Sequence, residues 1–91
     1  MAKKHMYSIY DTKASMFLLP ISFINDGDAI RWFTTQVNGD KNEQNVARYP
    51  EQFILFRLQD YDTATAKFNN EQLPKELIAG NQVKDRDWET I

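Results

Sequence analysis

Met16-Phe17-Leu18-Leu19-Pro20-Ile21-Ser22-Phe23-Ile24, then Asn25-Asp26-Gly27, then Asp28 to Asn38, is the stretch whose reading decides the fold. Its first part is apolar at nearly every position, with phenylalanines and branched residues on both faces. That pattern predicts a strand that is central, or an edge strand covered on both sides. Pro20 has no N–H to give to a ladder, which favours the edge or a bulge. After the turn at Asn25-Asp26-Gly27, Asp26 is the expected N-cap of a helix over 28–38, and Asp28 adds a second negative charge to the first turn. Gly39 stands where a glycine would stop that helix.

At about 100° per residue, Ile30, Phe33 and Val37 share one stripe with Thr34 beside them, and this stripe faces the core. Trp32 points the other way, near Asp28, Thr35 and Gln36. An indole there either packs under a loop or against another subunit, or it stacks on a ligand.

Upstream, Met6-Tyr7-Ser8-Ile9-Tyr10 alternates, with Tyr7 and Ile9 on one face and Met6, Ser8 and Tyr10 on the other. The turn-rich Asp11-Thr12-Lys13-Ala14-Ser15 follows, so this strand is expected to form a hairpin with the next. Downstream, 40–45 is a polar surface loop, Val46-Ala47-Arg48 a helical turn, and Pro50 biases Tyr49 to an extended conformation. Phe53 to Tyr61 is the second strong strand; Asp62-Thr63-Ala64-Thr65 turns the chain, and Ala66-Lys67-Phe68 returns as a short strand. After Pro74, Leu73, Leu77 and Ile78 are expected to dock on the core, and Gly80 ends that piece. The order is ββαββ. It predicts a small α+β domain over 1–80, an antiparallel sheet with one helix packed on it, and a loose charged tail over 81–91 that contains Trp88.

The chain has 91 residues, 42 % of them hydrophobic and 13 % aromatic, enough for one domain with a single modest core. Its net charge of −2 argues against a protein held on duplex DNA mainly by phosphate neutralisation, although eleven Lys and Arg could still form a local patch. With no cysteine there is no disulfide framework, thiolate nucleophile or sulfur metal site. The single histidine, His5, falls in an N-terminus expected to fray. Met1-Ala2-Lys3-Lys4 lacks the apolar core of a signal peptide and no apolar run reaches membrane-spanning length, which predicts a cytoplasmic protein with no membrane partner.

Enzyme templates are missing: there is no GxGxxG, P-loop, HExxH or GxSxG, and no catalytic residue, metal or cofactor is expected. Asp60 and Asp62 read as turn caps. The informative groups are aromatics next to cations: Tyr7 and Tyr10 with Lys13, Arg31 with Trp32, Arg48 with Tyr49, and Phe56-Arg57 with Lys67. Single-stranded nucleic acid is held by such pairs, a ring on which a base stacks and a cation beside the backbone. Phe56 itself reads more readily as core. The candidate contacts are Lys13, Arg31, Trp32, Arg57, Lys67 and Tyr10.

An ordered set of short matches adds to this. Tyr10-Asp11-Thr12-Lys13-Ala14, Pro20, Ala29-Ile30-Arg31-Trp32-Phe33 with Val37-Asn38, Tyr49-Pro50-Glu51-Gln52-Phe53-Ile54-Leu55-Phe56-Arg57-Leu58 and Tyr61-Asp62 resemble the small nonstructural protein of gokushoviruses, single-stranded DNA phages of the microvirus group. The resemblance runs from about residue 6 to residue 80. It implies a DNA-binding protein of viral genome replication, acting in the switch to single-strand synthesis for packaging in the host cytoplasm, with Arg31 and Lys13 as inherited candidates for DNA contacts. It supplies no catalytic residues. The family usually has glycine where this chain has Gln59, and often Thr-Gly where it has Thr65-Ala66, so that hairpin is expected to use a different turn. Trp32 lies outside the shared pattern.

Two functions follow as expectations: non-catalytic binding of single-stranded DNA, or a protein-interaction module that binds a host or phage replication protein without touching DNA. Both strong strands are apolar on both faces and one helix can cover only one of them, which predicts a homo-oligomer, a dimer before larger assemblies.

Overall fold

The computed structural model describes residues 3–85. It is an α+β fold whose six strands form one antiparallel sheet. The strands are β1 (Lys3–Asp11), β2 (Met16–Phe17), β3 (Ile21–Phe23), β4 (Phe53–Asp62), β5 (Lys67–Phe68) and β6 (Lys75–Ala79). The helices are α1 (Asp26–Val37), α2 (Asn45–Arg48) and α3 (Gly80–Val83), with a 3-10 turn at Pro50–Gln52. The α+β expectation holds; α2 is the helical turn foreseen at 46–48, whereas α3 and the strand β6 were not foreseen.

The long strands β1 and β4 pair antiparallel down the middle, with Ile9 opposite Leu55 and Tyr7 opposite Arg57. Each has a broken strand on its outer side. β2 and β3 both pair with β1, and β5 and β6 both pair with β4. The single strand expected over 16–24 is therefore two pieces. Pro20 sits in the break, where its missing N–H costs no ladder bond. The break leaves Leu19 90 % exposed.

Alternation along β1 and β4 divides the sheet into two faces. Tyr7, Ile9, Phe53 and Leu55 lie buried against α1, whose Ala29, Phe33, Thr34 and Val37 are buried in return. Ala29 is buried on the stripe together with Phe33 and Val37, while Ile30, expected there, is half-buried at its margin. The helix begins two residues earlier than expected because Asn25, not Asp26, is its cap, the Asn25 Oδ1 accepting from the Asp28 N–H at 2.8 Å. It ends on Asn38, whose N–H returns to the Thr34 and Gln36 carbonyls. Gly39 keeps a negative φ, so no left-handed glycine stop is used.

Four further expectations are corrected. His5 is ordered in β1, opposite Asp60. Leu73 does not dock and is 81 % exposed, whereas Leu77 and Ile78 pack against the core. The core runs past Gly80: Val83 is fully buried, and Asn38 Nδ2 donates to its carbonyl at 3.0 Å. The rest of the expected tail, 86–91 with Trp88, lies outside the described residues. Tyr49 is not fully extended either, with ψ at 61°.

The two hairpin turns use left-handed residues. At the β1–β2 turn Asp11 Oδ1 accepts from the N–H groups of Lys13 and Ala14, and Ser15 has φ 56°. At the β4–β5 turn Asp62 caps Ala64 in the same way, as expected of it, and Ala66 has φ 61°. Alanine there holds the conformation that glycine adopts without strain, so replacing glycine by Ala66 has not required a turn without a left-handed residue.

Candidate functional site

The face of the sheet that α1 leaves open carries Met6, Ser8 and Tyr10 of β1 and Ile54 and Phe56 of β4. No helix among the described residues covers it, and these side chains, apart from the buried Ser8, are half-exposed. Edge strands add aromatic rings. Phe17 is opposite Tyr10, and Phe68 is opposite Tyr61.

The rings fall into two groups. Tyr10, Phe17 and Phe56 meet with centroids 4.8, 5.3 and 6.0 Å apart. Tyr61 and Phe68 meet at 4.9 Å. Tyr61 stands five positions beyond Phe56 along β4, roughly 15 Å at the rise of a strand. Each group has a lysine nearby: Lys13 in the turn beyond Tyr10, and Lys4 paired in register with Tyr61. Glu76, opposite Phe56, places a carboxylate beside the first group. Ser8 underlies the same region, its Oγ donating to the Leu18 carbonyl at 2.6 Å.

The covered face holds charge as well, at the end of the sheet beyond the apolar core. Tyr7 Oη donates to Asp26 Oδ1 at 2.6 Å, and Arg57 Nη1 reaches the same oxygen at 3.1 Å. Arg57 Nη2 lies 2.9 Å from His5 Nδ1, which is itself 2.7 Å from Asp60 Oδ1. One nitrogen can donate to Asp60 or accept from Arg57, but not both. Gln72 completes the cluster: its Oε1 accepts from the Asp60 N–H at 2.5 Å, and its Nε2 donates to Asp60 Oδ2 at 3.2 Å. Burial pushes the Tyr7 phenol well above its usual range, reinforced by the Asp26 carboxylate to which it donates. Burial acts on Asp60 in the same direction, but hydrogen bonds from His5 and Gln72, with the Arg57 charge, outweigh it and hold the carboxyl low. Asp60 is thus part of a cross-strand network rather than the turn cap expected. This cluster holds β1, β4 and α1 together and leaves Arg57 little freedom to meet a ligand.

The six candidate contacts are therefore scattered. Tyr10 belongs to the open face, and Lys13 lies at its end. Arg57 faces the helix side, tied to Asp26 and Asp60. Lys67 pairs with Asp62 and also faces the helix side, away from neighbouring Phe68. Arg31 is exposed on α1, with Asp28 at 3.3 Å. Trp32 is half-buried on the flank of α1, its ring 5.4 Å from Phe23. It lines an apolar groove of about 610 Å³ with Ile9, Met16, Leu18, Leu19 and Val46. Reading rings beside cations missed Phe17, Tyr61 and Phe68, and it set Phe56 aside as core although the pairing with Arg57 had singled it out. The signal for Phe56 was the alternation of Ile54 and Phe56 against Phe53 and Leu55.

Residues 4–83 match the family described as Phage ORF5 protein. The chain belongs to that family. The ORF5 match spans both central strands, α1 and the two groups of rings, and it ends at Val83, where the described core also ends. Comparison with curated proteins and with solved structures gives no match for this ORF5 chain. Among its described residues no helix is long and apolar enough to cross a membrane, and no group of His, Asp or Glu is arranged to hold a metal ion.

Proposed function

We propose that this phage ORF5 protein binds single-stranded DNA, without catalysis, across the open face of its sheet. The observation that carries the reading is the contact among Tyr10, Phe17 and Phe56 on a face without a helix. Three rings are costly to leave half-exposed unless something stacks on them, and bases supply flat apolar surfaces whatever their sequence. Lys13 and Lys4 supply cations at the two ends. The low overall charge fits weak phosphate attraction, so stacking must provide much of the affinity. The ordered resemblance to the gokushovirus nonstructural protein supports a role in viral genome replication, at the switch to single-strand synthesis in the host cytoplasm.

The test is a titration with single-stranded and duplex oligonucleotides at two salt concentrations. Single strands should bind more tightly than duplex. Phe17→Ala should cost about 1–3 kcal/mol with the salt slope unchanged, while Lys13→Ala should flatten that slope. Glu76→Gln should tighten binding. No binding at low salt would overturn the reading.

A second reading has its own support. The groove beside Trp32 is apolar and its lining carries no charge, which suits a protein partner better than a phosphate chain. A replication protein of phage or host, or a second copy of this chain, would fit that chemistry. Sedimentation equilibrium at tens of micromolar separates these: a dimer is expected, and a monomer would exclude the second copy.

A further inference from the structure

We infer that the small pocket between the two groups of rings receives one unstacked base, and that Gln59 reads its edge. The inference rests on the proposed binding of single-stranded DNA and specifies how one nucleotide would be recognised.

The pocket has a volume of about 250 Å³ and is lined by Met6, Pro20, Leu58, Gln59, Phe68 and Pro74. Met6 is opposite the bulge that separates the two halves of the β1–β4 ladder, so it sits between the two groups of rings. Phe68 belongs to the second group. A strand running from Tyr10 and Phe17 to Tyr61 and Phe68 has to cross the pocket. The distance of roughly 15 Å is too long for two adjacent stacked bases and leaves room for at least one nucleotide between them.

The chemistry of the lining selects a base over a phosphate. No cation lines the pocket, while the lysines lie at the two ends, so the backbone would be held outside and the base turned inward. Apolar walls, one ring and a single amide are the means by which a splayed base is held and identified. The walls are also preformed. Pro20 and Pro74 are rigid rings in the breaks of the two edge strands, and the segment leading to Pro74 is strapped to Asp60 through Gln72. Less ordering is then required on binding.

Gln59 is the one polar side chain in the lining. Its Nε2 reaches the Gln72 carbonyl only at 3.5 Å, the outer limit of a hydrogen bond, so the amide is lightly held and its Oε1 is available. An amide presents a donor and an acceptor side by side, a combination that pairs in two bonds with adenine and equally with the O4 and N3–H of an unpaired thymine. We therefore expect an oligothymidine to bind more weakly when a methyl group on each N3 removes that donor.

The experiment measures fluorescence anisotropy of labelled dT8 and of the same octamer built from N3-methylthymidine. It uses the full chain, Gln59→Ala and Gln59→Leu, each checked for folding by chemical denaturation. The methyl groups should weaken binding to the full chain at least about fivefold, the low end for a bidentate contact. Both variants should erase that difference by lowering dT8 affinity to the level of the methylated octamer. Equal affinity of the full chain for the two octamers, or a difference that survives both variants, would overturn the inference and leave the binding of single strands intact. Failure of both octamers to bind at low salt would overturn that reading as well.

Discussion

The two faces of one sheet are built from alternate residues of the same two strands, yet they have different environments. On the helix side Tyr7, Ile9, Phe53 and Leu55 are at most 4 % exposed. On the other side Tyr10, Ile54 and Phe56, their immediate neighbours in sequence, remain half-exposed. Residue type does not separate the two sets, since both are aromatic and branched. What separates them is that the described residues supply helices to one side only. The covered face carries the buried core, and the open face keeps its apolar side chains half-exposed.

Substitutions can break or sharpen that contrast. The largest effect is expected for Phe33→Ala, which empties a fully buried site and should cost about 3–5 kcal/mol. Phe56→Ala should cost about 1 kcal/mol of stability while abolishing most single-strand binding. Equal losses of stability in chemical denaturation would mean that the two faces are not energetically distinct. Next comes Gly80→Ala, at the margin of the covered face. A Cβ on Gly80 would meet the Pro50 carbonyl group, so backbone must move, and a loss of about 1–3 kcal/mol is expected.

A smaller effect should appear with pH. Asp60 is held below its ordinary value of 3.8 when folded, so it contributes stability above that pH, and the contribution is lost as pH falls through the depressed folded value. Asp60→Asn should reduce stability at neutral pH and flatten the acid limb of a denaturation series; an unchanged limb would show that other carboxylates govern it. The smallest effect is expected of Ala66→Gly. Relieving the left-handed alanine should raise stability by about 0.5–1 kcal/mol and leave both faces as they are. A loss measured by denaturation would mean that the turn does not strain Ala66.

How far the sequence disclosed this arrangement depended on the distance over which each signal acts. Local patterns were legible: the faces of β1, the buried stripe of α1, the strand from Phe53, and the hairpin turns. Long-range pairings were not. Asp60 and His5 are 55 residues apart, and nothing near either marks the other. Arg57 read as a free cation because one of its carboxylates, Asp26, comes from the helix 31 residues earlier. Rules about chain ends misled twice, at His5 and at Val83, because a single valine or histidine gives no periodic signal. The open face was foreshadowed by a simple count: two-sided apolar strands and one substantial helix.

The pairing of β1 with β4 also bears on the order in which the protein is made. Asp11 and Phe53, the first-paired residues after the turns, are 42 positions apart. At about 5–20 residues per second, a ribosome needs roughly 2–8 s to synthesise the intervening segment. During that interval β1 has emerged without its principal partner, and the available ladder is with β2 and β3. Those two short strands, minor in the finished sheet, are therefore expected to shield the nascent N-terminus from pairing with other chains, and a sheet closed by such distant residues is expected to fold in milliseconds to seconds rather than microseconds.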